Sequence, residues 1–215
     1  MSGKRVTRNT LGPPRRWLLT GALLAPALAA TGAVGGCSLA SAGPPGAGNA
    51  SAEQGLPPPG FGTLSQREVS LTLTSGTLRI LVTPLAESVL VTTAPDTYRR
   101  LSALAEPHRT RADDTAIFLV SFFSDQPDVR FVPQEVQFVS GGVRVRPSSV
   151  TPVTPGWGSG RVAQRGTETA VYVFDRPLDL ESDLTLHYGL ERTDAWRVIL
   201  SRIQAERARA RARAG

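Results

Sequence analysis

The chain has 215 residues, one cysteine, 21 glycines, 17 prolines and a formal charge of +6. Residues 1–36 carry five basic residues and no acid, residues 202–215 carry five arginines and one glutamate, and the stretch between them, with fourteen basic and seventeen acidic residues, is −3. A slightly acidic body lacks the electrostatic footprint of a nucleic-acid domain, a single cysteine excludes an internal disulfide, and the length suits one domain.

In the leader, Lys4, Arg5, Arg8, Arg15 and Arg16 precede an apolar run from Trp17 to Ala30, and small residues follow. A basic start, an apolar middle and a small-residue end make a secretory signal peptide over residues 1–36, its basic part held on the cytoplasmic side. The alternative, an uncleaved membrane helix, is weakened by Pro26, by several glycines and by a length of only about 18 residues. Val34-Gly35-Gly36-Cys37 then resembles the bacterial lipobox: an aliphatic residue, two small residues and a cysteine, with Gly35 where Ala or Ser is commoner. The resemblance implies cleavage before Cys37 and diacylglycerol on its thiol, so that lipid on Cys37 holds the protein to a membrane of the bacterial envelope, outside the cytoplasm. Each buried methylene contributes about 0.8 kcal/mol, and two or three acyl chains make such an anchor effectively permanent. The other reading is a free cysteine beside a conventional cleavage site such as Ala27-Leu28-Ala29. Arg15-Arg16-Trp17-Leu18-Leu19 resembles a twin-arginine export signal, with Pro14 where Ser or Thr is usual, and also fits an ordinary basic region.

Residues 37–63 read as a tether. Five prolines and five glycines between positions 41 and 60 rule out a helix interior or a central strand. About 28 flexible residues reach roughly 30 Å.

A domain is expected over 64–204. Val69–Thr74 alternates apolar and polar residues as a half-buried strand does, and Leu78, Ile80 and Val82 mark a second strand after the Ser75-Gly76 turn. Residues 88–92 suit a third. Pro95 and Asp96 suit a first helical turn, with Tyr98, Leu101, Leu104 and Ala105 on one face and Pro107 as the stop. The run from Thr115 to Phe123 is the most apolar in the domain and reads as a central strand buried on both faces. Residues 135–139 and 143–146 flank Ser140-Gly141-Gly142 as a hairpin. Residues 169–174 and 184–188 give two more strands. Asp194 is placed to cap a helix with Trp196, Ile199, Leu200 and Ile203 in one stripe.

Seven or eight short strands with Gly and Pro turns predict a mainly β fold, an immunoglobulin-like sandwich with one inserted helix and a C-terminal helix; a small β-barrel is the alternative. The layout resembles, in general terms, uncharacterised immunoglobulin-like domains of bacterial envelope lipoproteins. Residues 205–215 are read as a tail in which Arg207, Arg209, Arg211 and Arg213 wind their charge around the helix and leave no face to bury. Either it is a solvated end, or it clamps an anionic envelope surface, the net +4 of residues 202–215 contributing up to about 4 kcal/mol at low salt.

Candidate chemistry is sparse. His108 and His187 lie far apart, and no set of three or four ligands with metal-site spacing accompanies them. Gly156-Trp157-Gly158-Ser159-Gly160 lacks the strand-to-helix setting of a nucleophile elbow, and Asp113-Asp114 and the set Asp175, Asp179, Glu181 and Asp183 lack a calcium-loop spacing. Trp157 is either an exposed aromatic that contacts a partner or ligand or a core plug. The expectation is a non-catalytic binding or structural module that takes no metal or cofactor and no nucleic acid, partnered by an envelope protein or polymer. The alternative is an envelope hydrolase or metal-handling protein.

Overall fold

The computed structural model describes residues 55–109 and 115–215. The readings on Arg15, Arg16, Val34, Gly35, Gly36 and Cys37, on the first part of the tether and on Asp113-Asp114 lie outside the described residues.

The strands expected over Val69–Thr74 and around Leu78, Ile80 and Val82 become β1 (Leu71–Ser75) and β2 (Leu78–Pro84), whose inward residues Leu71, Leu73, Ile80 and Val82 are buried. A 3₁₀ turn, Gln66–Val69, takes the start of the segment read as a strand from Val69. β3 (Ala116–Ser124) pairs antiparallel with β2 on one side and with β9 (Thr167–Phe174) on the other. With β7 (Ser149–Pro152) at the far edge, these form a five-stranded sheet in the order β1-β2-β3-β9-β7. The glycine hairpin is β5 (Val136–Ser140) and β6 (Val143–Val145), with Gly141 and Gly142 at φ +56° and +78°, a region that glycine enters without a Cβ penalty. Together with β10 (Leu184–Tyr188) and β11 (Glu191–Thr193) they form a second sheet, β11-β10-β5-β6. A short pair, β4 (Val129–Arg130) and β8 (Arg161–Val162), forms a third.

The two larger sheets lie face to face over one core, so the protein is a β-sandwich and not a closed barrel. Phe118 and Phe174 of the first sheet meet Phe138 of the second at ring-centroid distances of 4.6 and 5.3 Å, and Phe122 meets Tyr188 at 5.7 Å.

Residues 88–92 form no strand. Glu87–Leu90 is a short helix, α1, and the hydroxyls of Thr92 and Thr93 donate to the carbonyls of Val89 and Leu90 at 2.6 and 2.7 Å. A short apolar run fits a buried helical turn as well as a strand; here Val89 joins the main core and Leu90 a second, smaller one. That second core lies on the outer face of the first sheet. Helix α2 (Pro95–Arg109) covers it, packing Leu101 and Ala105 against Leu119 and Val171. Pro107 lies inside α2, two residues from its end, so the helix overruns the expected stop by about half a turn.

β3 is thus buried on both faces over Phe118–Val120: Phe118 and Val120 face the sandwich core, Leu119 the helix. We expect Phe118→Ala to cost about 3–5 kcal/mol and Leu119→Ala about 2–5 kcal/mol in denaturant unfolding. A cost below about 0.5 kcal/mol at Leu119, typical of an exposed position, would show that α2 does not seal that face.

Candidate functional site

Three clusters carry most of the polar and aromatic chemistry. Trp157 sits in a 3₁₀ turn, Pro155–Ser159, closed by Gly160 at φ +64°. Its side chain is buried, with ring centroids of Phe131, Phe122 and Tyr172 at 4.8, 5.7 and 6.2 Å. The ring plugs the end of the sandwich, and the exposure that a partner contact needs is absent. This loop has no strand or helix period, so periodicity carried no sign of which way the ring turns. Ser159 Oγ donates to Gly156 O at 2.8 Å and accepts from Arg161 N at 3.1 Å, which gives it a turn-closing role in place of a nucleophile's.

His187 lies on the half-exposed side of β10, in register with Gln137 and Arg192. Desolvation, together with the charges of Arg144 and Arg192, holds its pKa below the ordinary value. His108 is buried near the end of α2, and its Nδ1 has no hydrogen-bond partner. Among the described residues no three His, Cys, Asp or Glu side chains are grouped to hold a metal ion, and no helix is long and apolar enough to cross a membrane. The acidic set from 175 to 183 divides into local roles. Asp179 accepts from Glu181 N in a turn, Asp183 pairs with Arg197, and Glu181 pairs with Arg207 at 2.7 Å.

The third cluster is the C-terminal helix, α3 (Trp196–Ala214). Asp194 does not cap it: the N-cap position is Ala195, whose N–H donates to Thr193 Oγ1 at 3.4 Å. The apolar stripe was expected to end at Ile203, but the buried positions continue through Ile199, Ile203, Glu206 and Ala210, at the three- and four-residue spacing of one helix face. The incoming chain supplies the partners. Thr63 N and Oγ1 donate to Glu206 Oε1 at 3.1 and 2.8 Å, and Arg213 Nη1 donates to the same oxygen at 2.8 Å. Arg213 Nη1 also donates to Phe61 O at 2.7 Å, and Arg209 Nη1 reaches Glu206 Oε2 at 3.4 Å. Gly62 is pressed against Thr92, where an added Cβ would lie 2.2 Å from the Thr92 carbonyl carbon; no residue with a side chain fits there. Contacts of the domain therefore begin before Leu64, and the arginine segment belongs to its packed helix. Arg207 is 12% exposed and bonds Ser88 O and Glu181. Arg209 and Arg213, 64% and 41% exposed, keep solvent-facing charge, and Arg211 is exposed.

No family model and no curated protein matches this chain. Among solved structures, the secreted protein MPT63 of Mycobacterium tuberculosis is similar over 61% of this chain and 93% of its own, with 12% identity and a TM-score of 0.32. That likeness is too distant to transfer a fold or a role.

Burial alone raises the Glu206 pKa. The hydrogen bonds from Arg213 and Thr63, the Arg213 charge and the bond from Arg209 outweigh it and hold the carboxyl below its ordinary 4.5. A depressed carboxyl stabilises the fold above its ordinary value, and this contribution is lost as acidification takes the pH through the folded value. Glu206→Gln is expected to cost about 1–3 kcal/mol at neutral pH. In parallel urea titrations the gap between the two proteins should shrink as the pH falls below 4.5, and a gap that stays constant through the acid range would contradict the charged clamp.

Proposed function

We propose that the protein is a lipid-anchored, non-catalytic module of the bacterial envelope, held through Cys37 with the arginine end of α3 turned toward the membrane. The observation that carries the reading is the junction just described. The chain coming from Cys37 enters the domain along Phe61–Thr63, against the helix end that bears Arg209, Arg211 and Arg213. The side on which the chain enters the domain and its basic side are therefore one pole. Only 17 residues stand between Cys37 and Gly55, where the described residues begin. The lipobox resemblance and the tether composition support the anchor; the sandwich core supports a rigid body on the end of it.

The clamp reduces the charge available to a surface. Glu206 offsets one of the three arginines at this pole, leaving a net +2 from these four residues. At about 1 kcal/mol per charge near an anionic leaflet, the pole contributes about 2 kcal/mol, enough to orient a tethered domain and to add a measurable increment to the vesicle binding of an untethered one. Arg207, bound to Glu181 and Ser88, belongs to the structure of the helix and not to this surface.

Two measurements test the two halves of the reading. Cys37→Ser should leave an unacylated precursor whose intact mass still includes the leader, and an unchanged mature mass would sink the lipid anchor. For the pole, removing residues 205–215 would also remove Glu206 and Ala210 from the packing, so point changes are the cleaner probe. Arg209→Gln with Arg211→Gln should lower binding of the unacylated chain to vesicles containing phosphatidylglycerol at low salt by about thirtyfold. Binding to phosphatidylcholine vesicles should not change. Equal binding by variant and parent to the anionic vesicles would make the tail a solvated end.

A further inference from the structure

The outer face of the five-stranded sheet is divided. Helix α2 covers Leu119 and Val171, but toward Ser121 and Phe123 the helix is gone and the face is bare. What remains is a groove of about 480 Å³. Leu81 and Phe123 form its apolar floor, Thr72, Ser121 and Thr167 bring hydroxyls, and Arg67 and Arg79 bring charge. The Arg79 guanidinium lies over the Phe123 ring, 5.3 Å from its centroid, which fixes the cation within the groove. At the end formed by Gln66, Arg100 donates to Gln66 Oε1 at 2.8 Å and holds that side chain in place. Ser121 and Thr169 share a hydroxyl–hydroxyl bond of 3.1 Å, and Gln66 Nε2 is tied to Thr83 Oγ1 at 3.0 Å. None of the lining residues is an acid, although the body as a whole is net negative.

We propose that this groove binds an acidic glycan, a sugar chain carrying carboxylate groups. Guanidinium groups recognise carboxylates through paired, charge-assisted hydrogen bonds, while Ser and Thr hydroxyls both donate to and accept from sugar hydroxyls. The alternatives fit less well. The floor is shallow and ringed by polar groups, so it offers no channel for an acyl chain. A peptide adding as a strand would pair along the outer edge of β1, whereas the groove floor is built on β2 and β3, each already paired on both sides. A single-stranded nucleic acid needs open aromatic faces for its bases, and Arg79 already lies over Phe123. The groove lies on a sheet face separate from the arginine pole of α3 and does not depend on the lipid anchor.

The test is calorimetric titration of the full chain in detergent micelles with polygalacturonate, and with fully methyl-esterified polygalacturonate as the uncharged counterpart. Polygalacturonate should bind, its affinity falling as salt rises, and the ester should bind at least about tenfold more weakly. Arg67→Gln with Arg79→Gln should lower affinity for polygalacturonate by at least about tenfold. Thr72→Glu, an exposed change that places a carboxylate in the groove, should do the same with the arginines intact. Arg211→Gln should leave it unchanged, and the groove variants should keep parental binding to phosphatidylglycerol vesicles. Equal affinity for acid and ester, parental binding by both groove variants, or a loss on Arg211→Gln would overturn the proposal, as would tighter binding of oligothymidylate than of polygalacturonate.

Discussion

The structure depends on one strand having two insides. Over Phe118–Val120, β3 presents aromatic and β-branched side chains to the sandwich core and Leu119 to the core under α2. A strand buried on both faces has no position at which a polar side chain is free of desolvation cost, so its run is continuously apolar. This accounts for the placement of the inserted helix. Without α2, Leu119 and Val171 would face water; with it, the sheet becomes the middle layer of a locally three-layered body. The helix cover is shorter than the strand, and beyond Leu119 the outward positions Ser121 and Phe123 are only half buried. The boundary between sealed and open halves of the sheet is thus written in one strand's alternation.

A second constraint comes from the C-terminal helix, whose buried face is completed by a carboxylate. Glu206 on the stripe is tolerable because every strong donor near it is aimed inward: a backbone N–H and a hydroxyl from Thr63 and two guanidinium groups from its own helix. Removing any one donor leaves the others, whereas removing the carboxylate leaves all of them short of an acceptor. That asymmetry makes Glu206 the sensitive member. Arg202 extends the same seam by donating to Glu68 O at 2.9 Å, so a row of arginines ties the helix to the segment ahead of β1.

The strands were largely legible in the sequence because the residues that bury a β face alternate, as at Leu71, Leu73, Ile80 and Val82 and again at Leu184, Leu186 and Tyr188. The sandwich and both longer helices followed from those patterns. Short pairings at Val129–Arg130, Arg161–Val162 and Glu191–Thr193 were not legible, since two or three residues display no period. Residues 88–92 misled for a related reason: four apolar or small residues in a row describe burial but not backbone. The docking of α3 was hidden because Glu206 and Ala210 score as surface residues by type, and only the chain from Phe61 to Thr63, some 140 positions away, makes that face an interior. The groove on the sheet gave no local signal either, as its residues come from five separate segments, four of them strands brought into register by pairing.

The joining of the two chain ends bears on how the domain withstands force. A pull arriving along the incoming chain is first met at Phe61–Thr63, where three hydrogen bonds to the side chains of α3 stand in parallel. Only after these part does tension reach Leu64, whose backbone bonds to Thr92 and Ala94 at 3.1 and 2.9 Å form the next stop. β1, an edge strand that could otherwise be peeled away rung by rung, lies behind both. The domain thus meets traction with a fastening that shears as a unit, and the sheet is shielded from being unzipped.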